Sequence, residues 1–509
     1  MPTRQPHILL VHADQHRFDC IGASGNPDIQ TPNIDKLAAE GRRYTNHFCS
    51  YPVCTPSRYS LLTGLYTRQH QGWTNHSGIP PTIDTFPRIL KREGYKTAAV
   101  GKMHFTPTYL DVGFEEMVLA EQNGPGRLDD DYHRYLRRHD LIDAIDTLDQ
   151  VDEYRREASR GYWDAFGAGP SDLPEAHHST TWIGDRAMEQ IDTWRADEPA
   201  LLMVGFIKPH HPFDPPASWA GMYDPDDLAL LPGWTESALQ DDLDRHAGFF
   251  PHEDLTPGRL RRVQAMYYAT ISHIDHQVGR MVDLLKQKGL YGDTLIVYTS
   301  DHGDYMGFHH MLLKGNALYD PLARIPLVVK FPGHAGVAGD VSDALCSNID
   351  MAPTILAQAG CRPAEGMAGL DLVAHPEGRD FIFAEAASGR EYMIRSRTRK
   401  LIVRRDREKS QFFNLEQDIF EERNLYNAPE YLDEIGAYSR RLTDWALFEA
   451  LTPNCLDEEQ TTISQANVLA PADGKRDEME AYVRCKMAAA PALYPATSSS
   501  PGSKECDDT

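Results

Sequence analysis

Five short, nearly continuous apolar runs recur along the chain with helical patterns between them. They are HILLVHA (7–13), KTAAV (96–100), ALLMVGFI (200–207), DTLIVYTS (293–300) and IPLVVKF (325–331). A strand that is apolar on both faces must be covered on both faces, so these runs read as buried parallel strands between helical layers. Thr31-Pro32 ahead of NIDKLAAEG predicts a short helix, with threonine as N-cap, proline in the first turn and Gly41 as terminator. Between Thr256-Pro257 and Gly289, Val263, Met266, Tyr267, Ile271, Ile274, Val278, Met281, Val282 and Leu285 keep helical spacing. They predict one long amphipathic helix packed on the sheet. The expected fold class is α/β, a sandwich with a large, mostly parallel central sheet flanked by helices over residues 1–370.

The pattern changes twice outside that frame. Residues 120–180 are polar and irregular, and read as an insertion near the site entrance whose run GRLDDDYHRYLRRHD is solvated surface. Over 371–454, EYMIRSRTRKLIVRR and SQFFNLEQDIFEERNL alternate as antiparallel strands of a smaller C-terminal α+β subdomain. Residues 455–509 form a tail whose end, APALYPATSSSPGSKECDDT, is too poor in apolar residues to fold alone. Within it Met479, Tyr482, Val483 and Met487 keep near-helical spacing. So short a helix must dock on its own body or on a neighbouring subunit, and the tail is expected to serve a homo-oligomer.

Charge and cysteine usage narrow the function classes. Lys+Arg 51 against Asp+Glu 75 gives a net charge of −24, which argues against nucleic acid as partner. The eight cysteines are scattered without a CxxC pair, so no disulfide framework is implied at this length. The N-terminal apolar run is too short for a signal peptide, and no stretch reaches a membrane span's length. The expectation is a cytoplasmic protein with no membrane association.

Chemistry gathers around YPVCTPSRYSLLTGLY (51–66). Thr55 and Pro56 read as N-cap and first-turn residues of a helix closed near Gly64, which puts Cys54 at a helix N-terminus that favours negative charge. Arg58, one turn on, is placed to reach back to an anion beside it. Asp14 ends the first strand, and Asp301-His302 end another. Carboxylates at strand C-termini are where an α/β sheet supplies metal ligands. Lys102 and His104 follow a strand in VGKMHF, His210 and His211 follow another in FIKPHHPF, and Lys314 stands in MLLKGNALYDPLARIPLVV. Asn75 and His76 in GWTNHSG read equally as turn residues, and His309 and His310 are candidates for the same pocket.

The run C-T-P-S-R-x-x-x-L-T-G from Cys54 to Gly64 resembles the signature of formylglycine-dependent sulfatases, of the alkaline phosphatase superfamily. The likeness spans about residues 7–450 and includes FFNLEQDIFEERNL. It implies an alkaline-phosphatase/sulfatase-like sandwich, with Cys54 oxidised to formylglycine and hydrated to a gem-diol nucleophile. It implies one divalent metal, Ca²⁺ before Mn²⁺ or Mg²⁺, held by Asp14, Gln15, residue 54, Asp301 and His302. Gln15 departs from the family's frequent second aspartate, and His302 stands where many members have asparagine. By the same resemblance Lys102 bridges nucleophile and sulfate, and His104 takes a proton from the covalent intermediate. His210 and Lys314 serve the leaving group, and Asn75 matches a substrate-contacting position of phosphonate monoester hydrolases.

The implied function is hydrolysis of small sulfate monoesters, matured by a formylglycine-generating enzyme as partner. The alternative is a phosphonate monoester or phosphodiester hydrolase with the same nucleophile. Those relatives carry neutral residues in place of Lys102 and His104, which favours sulfate while leaving cross-activity expected. A third reading is a non-catalytic protein that binds sulfated ligands through an unmodified Cys54.

Overall fold

Every residue of the first apolar run, strand β1 (His7–Asp14), is buried. Ile8 and Leu10 enter one core cluster while Leu9 and Val11 enter another, so the run separates two cores rather than lining one. Each such side chain contributes about 1.5–3 kcal/mol by burial, and Leu10→Ala would cost about 2–5 kcal/mol. This computed structural model describes residues 5–451, apart from 125, 244–249, 251, 316 and 335–337, together with 476–489.

The remaining strands of the large sheet are β2 (Arg42–Phe48), β3 (Lys96–Gly101), β4 (Glu116–Leu119), β5 (Ala200–Pro209), β6 (Thr294–Ser300), β7 (Leu327–Lys330) and β8 (Asp340–Ser347). Their order is β4-β3-β5-β1-β6-β7-β2-β8. Pairing is parallel except at β7, which runs antiparallel to both β6 and β2. The parallel reading of 325–331 is thereby corrected. The chain leaves β6 at the site end of the sheet and stays there through the short helix Asp320–Ala323, so the next strand must run back. A second sheet, β12-β11-β10-β9, is antiparallel throughout, formed by β9 (Ile382–Ala386), β10 (Glu391–Arg395), β11 (Arg399–Arg404) and β12 (Gln411–Asn414).

The long helix spans Pro257–Gln287, and the Thr256 hydroxyl caps it by accepting from Arg259 N. Ile274, Val278 and Met281 share a core with Ile183, Ala187 and Ile191 of helix Ser179–Thr193. Helix α1 covers Pro32–Glu40, but the Thr31 hydroxyl makes no cap bond to it. The buried Asp275 carboxylate does that work, accepting from Asn33 N and Ile34 N. The charge run of the insertion is not simply solvated: Arg127, Asp130 and His133 are buried. Asp130 caps helix Asp131–Arg138 through His133 N, at 2.8 Å, and accepts the Glu121 N–H on its other oxygen.

Helix Arg476–Ala489 carries the spacing read in the tail, and it docks on its own body. Tyr482 OH donates to Leu141 O at 2.7 Å and Lys486 Nζ lies 2.6 Å from the Asp140 carboxylate. The tail's polar end falls outside the described residues. Among the described residues, no helix is long and apolar enough to cross a membrane.

Candidate active site

Helix α2 begins at Cys54 itself and runs to Thr63, with extended Val53 as N-cap and left-handed Gly64 as C-cap. Thr55 therefore sits inside the helix rather than capping it. Its hydroxyl donates to His104 O at 2.7 Å, and its N–H donates to Asn75 Oδ1 at 3.1 Å. The first turn of α2 is thus tied to the loop after β3 and to the 74–77 turn.

Around Cys54 the strand ends converge. The thiol Sγ lies 3.7 Å from Asp14 Oδ1, 3.3 Å from His302 Nε2 and 2.8 Å from Lys314 Nζ. Arg58 does not point at solvent or at an open anion site. Its guanidinium donates to Asp301 Oδ2 (3.1 Å), Asp14 Oδ2 (3.0 Å) and Lys102 O (2.6 Å), with all three side chains fully buried. Lys102 Nζ is 2.7 Å from the same Asp14 oxygen and also bonds Gln122 Oε1. Lys102 is set by close backbone approach between β3 and β5: a Cβ at Gly101 (φ +89) would meet Gly205 O at 2.1 Å. The Lys102 N–H bonds that same carbonyl at 2.7 Å.

Charge is arranged to favour anions at residues 14 and 54. Burial alone would raise Asp14, but Lys102, then His210, Lys314 and Arg58, hold the carboxyl well below its usual range. Burial and Asp14 push the Cys54 thiol up, and Lys314, His302 and Lys102 together bring it well below an ordinary thiol. Burial, Lys314 and Lys102 push the His210 imidazole down, so it is neutral near pH 7. Its Nδ1 donates to His211 O at 2.8 Å, which leaves Nε2 as the proton-exchanging atom.

The donor atoms of Asp14, Cys54, Asp301 and His302 all lie within 4.8 Å of one another, and all four residues are buried. His302 Nδ1 donates to Gly303 O at 2.9 Å, so Nε2 carries the lone pair, the arrangement expected of a metal-ligating imidazole. Gln15 follows β1 with φ 65, and its amide nitrogen is held by Asp304 while its buried Oε1 has no hydrogen-bond partner. An orphaned amide oxygen beside two carboxylates and an imidazole fits a divalent cation with a preference for oxygen ligands.

His104 (φ 58) is fixed by Glu121, whose carboxylate accepts from the N–H groups of Met103 and His104 at 3.1 and 2.9 Å. Asn75 and His76 both line the cavity beside this loop. His211 turns away to Asp149 at 2.6 Å, stacked on His210. His309 and His310 are engaged elsewhere, the first by Asp242 and Phe420 O, the second by Thr235 O and His252 O. Lys314, a leaving-group contact by the resemblance, lies 2.8 Å from the thiol and 2.9 Å from His302 Nε2. Glu121, Gln122, Asp149 and Asp304 were not singled out by sequence. Asp304, two residues after His302, had the clearest signal, and burial raises its carboxyl to about 6.

Residues 6–361 match the sulfatase family model, and 308–446 match the model described as N-sulphoglucosamine sulphohydrolase, C-terminal. The match over residues 6–361 covers more than half of the chain, which belongs to the sulfatase family, a class of hydrolases. It is 31% identical over 462 residues to an arylsulfatase of Clostridium perfringens, covering 86% of this chain and 93% of that one. It is 27% identical to a choline-sulfatase of Rhizobium meliloti, covering 84% of each. Among solved structures, a phosphonate monoester hydrolase of Agrobacterium radiobacter superposes with a TM-score of 0.71 at 24% identity, over 87% of this chain and 95% of that one.

Proposed function

We propose that this protein is a formylglycine-dependent sulfuric ester hydrolase of arylsulfatase type, with residue 54 as its nucleophile. The observation that carries the reading is the Cys54 side chain at the first residue of a helix, held among Asp14, His302 and Lys314. Modification exchanges the thiol for oxygen, so the sulfur stands in for the oxygens of hydrated formylglycine. Asp14, Gln15, Asp301, His302 and residue 54 would hold one divalent cation, Ca²⁺ by its oxygen-rich set. Such a cation lowers the pKa of a bound hydroxyl and draws charge from substrate oxygens.

The chain's own groups supply the rest. Arg58 fixes both carboxylates in one orientation through a three-bond fork. Lys102 and Lys314 bring two cations to the sulfate oxygens, where negative charge accumulates in the transition state. His210 Nε2 or Lys314 Nζ serves the departing oxygen, and the His104 ring takes the proton that releases sulfate. The buried His104 Nδ1 has no hydrogen-bond partner, which is consistent with a group awaiting substrate. Asn75 contributes a substrate contact. Phosphonate monoester or phosphodiester hydrolysis is a second activity of the same groups, favoured by the likeness to the Agrobacterium fold. We also place the boundary between catalytic domain and C-terminal subdomain near residue 370, between β8 and β9.

Cys54→Ala tests the assignment. Turnover of 4-nitrophenyl sulfate should fall to background with the fold retained by circular dichroism. Hydrolysis above trace level by the repurified variant would rule out residue 54 as nucleophile.

A further inference from the structure

A cavity of ≈ 1060 Å³ opens beside the loop after β3 that carries His104. His104 and Asn75 line it, and both accept hydrogen bonds from Thr55, the residue after Cys54. The insertion contributes Gln150 and Tyr154, and the Gln150 amide also bonds His211 O at 2.9 Å, beside His210. Helix 476–489 contributes Glu480, Val483 and Arg484. That helix lies beyond both matched family segments, which end at 361 and 446.

The helix is fastened specifically to the insertion. Besides the Tyr482 and Lys486 bonds, Arg137 reaches Glu478 at 3.4 Å and lies 5.8 Å over the Tyr482 ring, and Met479 is buried. The element that closes the chamber is therefore held by the same insertion that supplies another of its walls.

We propose that this cavity receives the alcohol part of the ester, and that helix 476–489 is its specificity wall, selecting a compact alcohol with no further negative charge. The proposal rests on the sulfate-ester reading above. The volume suits one small molecule, since ligand sites run to about 300–1,000 Å³. Phe105, Tyr109 and Tyr154 offer apolar faces to it. Acidic groups outnumber basic ones along the walls: Glu121, Asp129, Asp152, Glu153 and Glu480 stand against Arg127 and Arg484, with Glu480 3.7 Å from Arg484 and Asp152 paired to Arg155. A cleft with an excess of one sign repels a second group of that sign, while the sulfate itself would meet Lys102 and Lys314 at the strand ends.

The test uses full-length enzyme with phenyl sulfate, bicyclic 4-methylumbelliferyl sulfate and anionic 4-carboxyphenyl sulfate. Val483→Trp should lower kcat/KM for the umbelliferyl ester by about tenfold, chiefly through KM, and change the phenyl ester by less than about threefold. Glu480→Lys should narrow the preference for phenyl over carboxyphenyl ester by about fivefold. Free 4-methylumbelliferone, followed by fluorescence, reads the chamber without turnover: binding should saturate with wild type and weaken with Val483→Trp. Unchanged substrate ratios together with unchanged umbelliferone binding would overturn the proposal. A wild type that hydrolyses none of the esters, yet binds umbelliferone in a Val483-dependent way, would defeat the sulfatase reading and leave the chamber standing.

Discussion

Replacing Arg58 by methionine keeps the length of the side chain and removes its charge at a site with no access to water. Asp14 and Asp301 are each fully buried, and each accepts a bond from the guanidinium. Taking one partner from a buried ion pair costs about 3–5 kcal/mol, because the other charge stays buried and unpaired. Two carboxylates lose Arg58, yet neither is stranded. Lys102 remains 2.7 Å from Asp14, and Asp301 keeps the N–H groups of Gln15 and His302 at 3.0 and 2.9 Å. The expected loss is therefore about 4 kcal/mol rather than twice that. Arg58→Lys keeps the charge without the fork and should lose about half as much. Urea unfolding in EDTA, followed by tryptophan fluorescence, measures both. Added Ca²⁺ should narrow the gap for Arg58→Met, because a divalent cation held by Asp14 and Asp301 would offset the lost charge. A variant within about 1 kcal/mol of wild type in EDTA, an ordinary surface effect, would refute the reasoning.

Asp14→Asn and Asp301→Asn should each weaken divalent-metal retention beyond the about 10–100-fold of an outer-shell change, with activity falling in step. Full occupancy of both variants by elemental analysis would mean that the metal lies elsewhere. Glu385 provides a pH test away from the metal: burial lifts its carboxyl from 4.5 to about 7, against a bond from Arg68 N. The native state binds this proton more tightly than the unfolded chain, so the stabilisation is complete below 4.5 and is lost as pH rises through about 7. Relative to Glu385→Gln, wild type should therefore lose about 3 kcal/mol between pH 4.5 and 8. A difference that does not vary with pH would contradict the shift.

The strands that sequence reveals are those buried on both faces, because only there does an unbroken apolar run exclude other readings. β2 and β8 escape it: RRYTNHF and DVSDALCS are the last two strands on one side of the sheet, β8 at its edge and β2 next to it, and both carry polar, partly exposed residues. β4 is four residues long at the other edge. The direction of β7 is invisible for a different reason, since an apolar run has no polarity; only the returning chain after β6 sets it. At the site, Asp14, Cys54, Lys102, His210 and Asp301 are legible because each stands at a strand end or helix start with a recognisable run around it. Glu121 and Asp149 are not, because they accept bonds from the loops after β3 and β5, which become adjacent to them only when the insertion folds. Thr55 shows how a correct residue acquires a wrong role: its type suits an N-cap, but Val53 takes that position and frees the hydroxyl for His104 O.

The atom that residue 54 presents to substrate decides the mechanism. Mass spectrometry of the peptide containing Cys54, on protein made together with a formylglycine-generating enzyme, measures it directly. Conversion of thiol to aldehyde lowers the mass by about 18 Da, and the modified fraction should scale linearly with the specific activity towards 4-nitrophenyl sulfate. Fully active protein whose residue 54 remains an unmodified cysteine would contradict the mechanism.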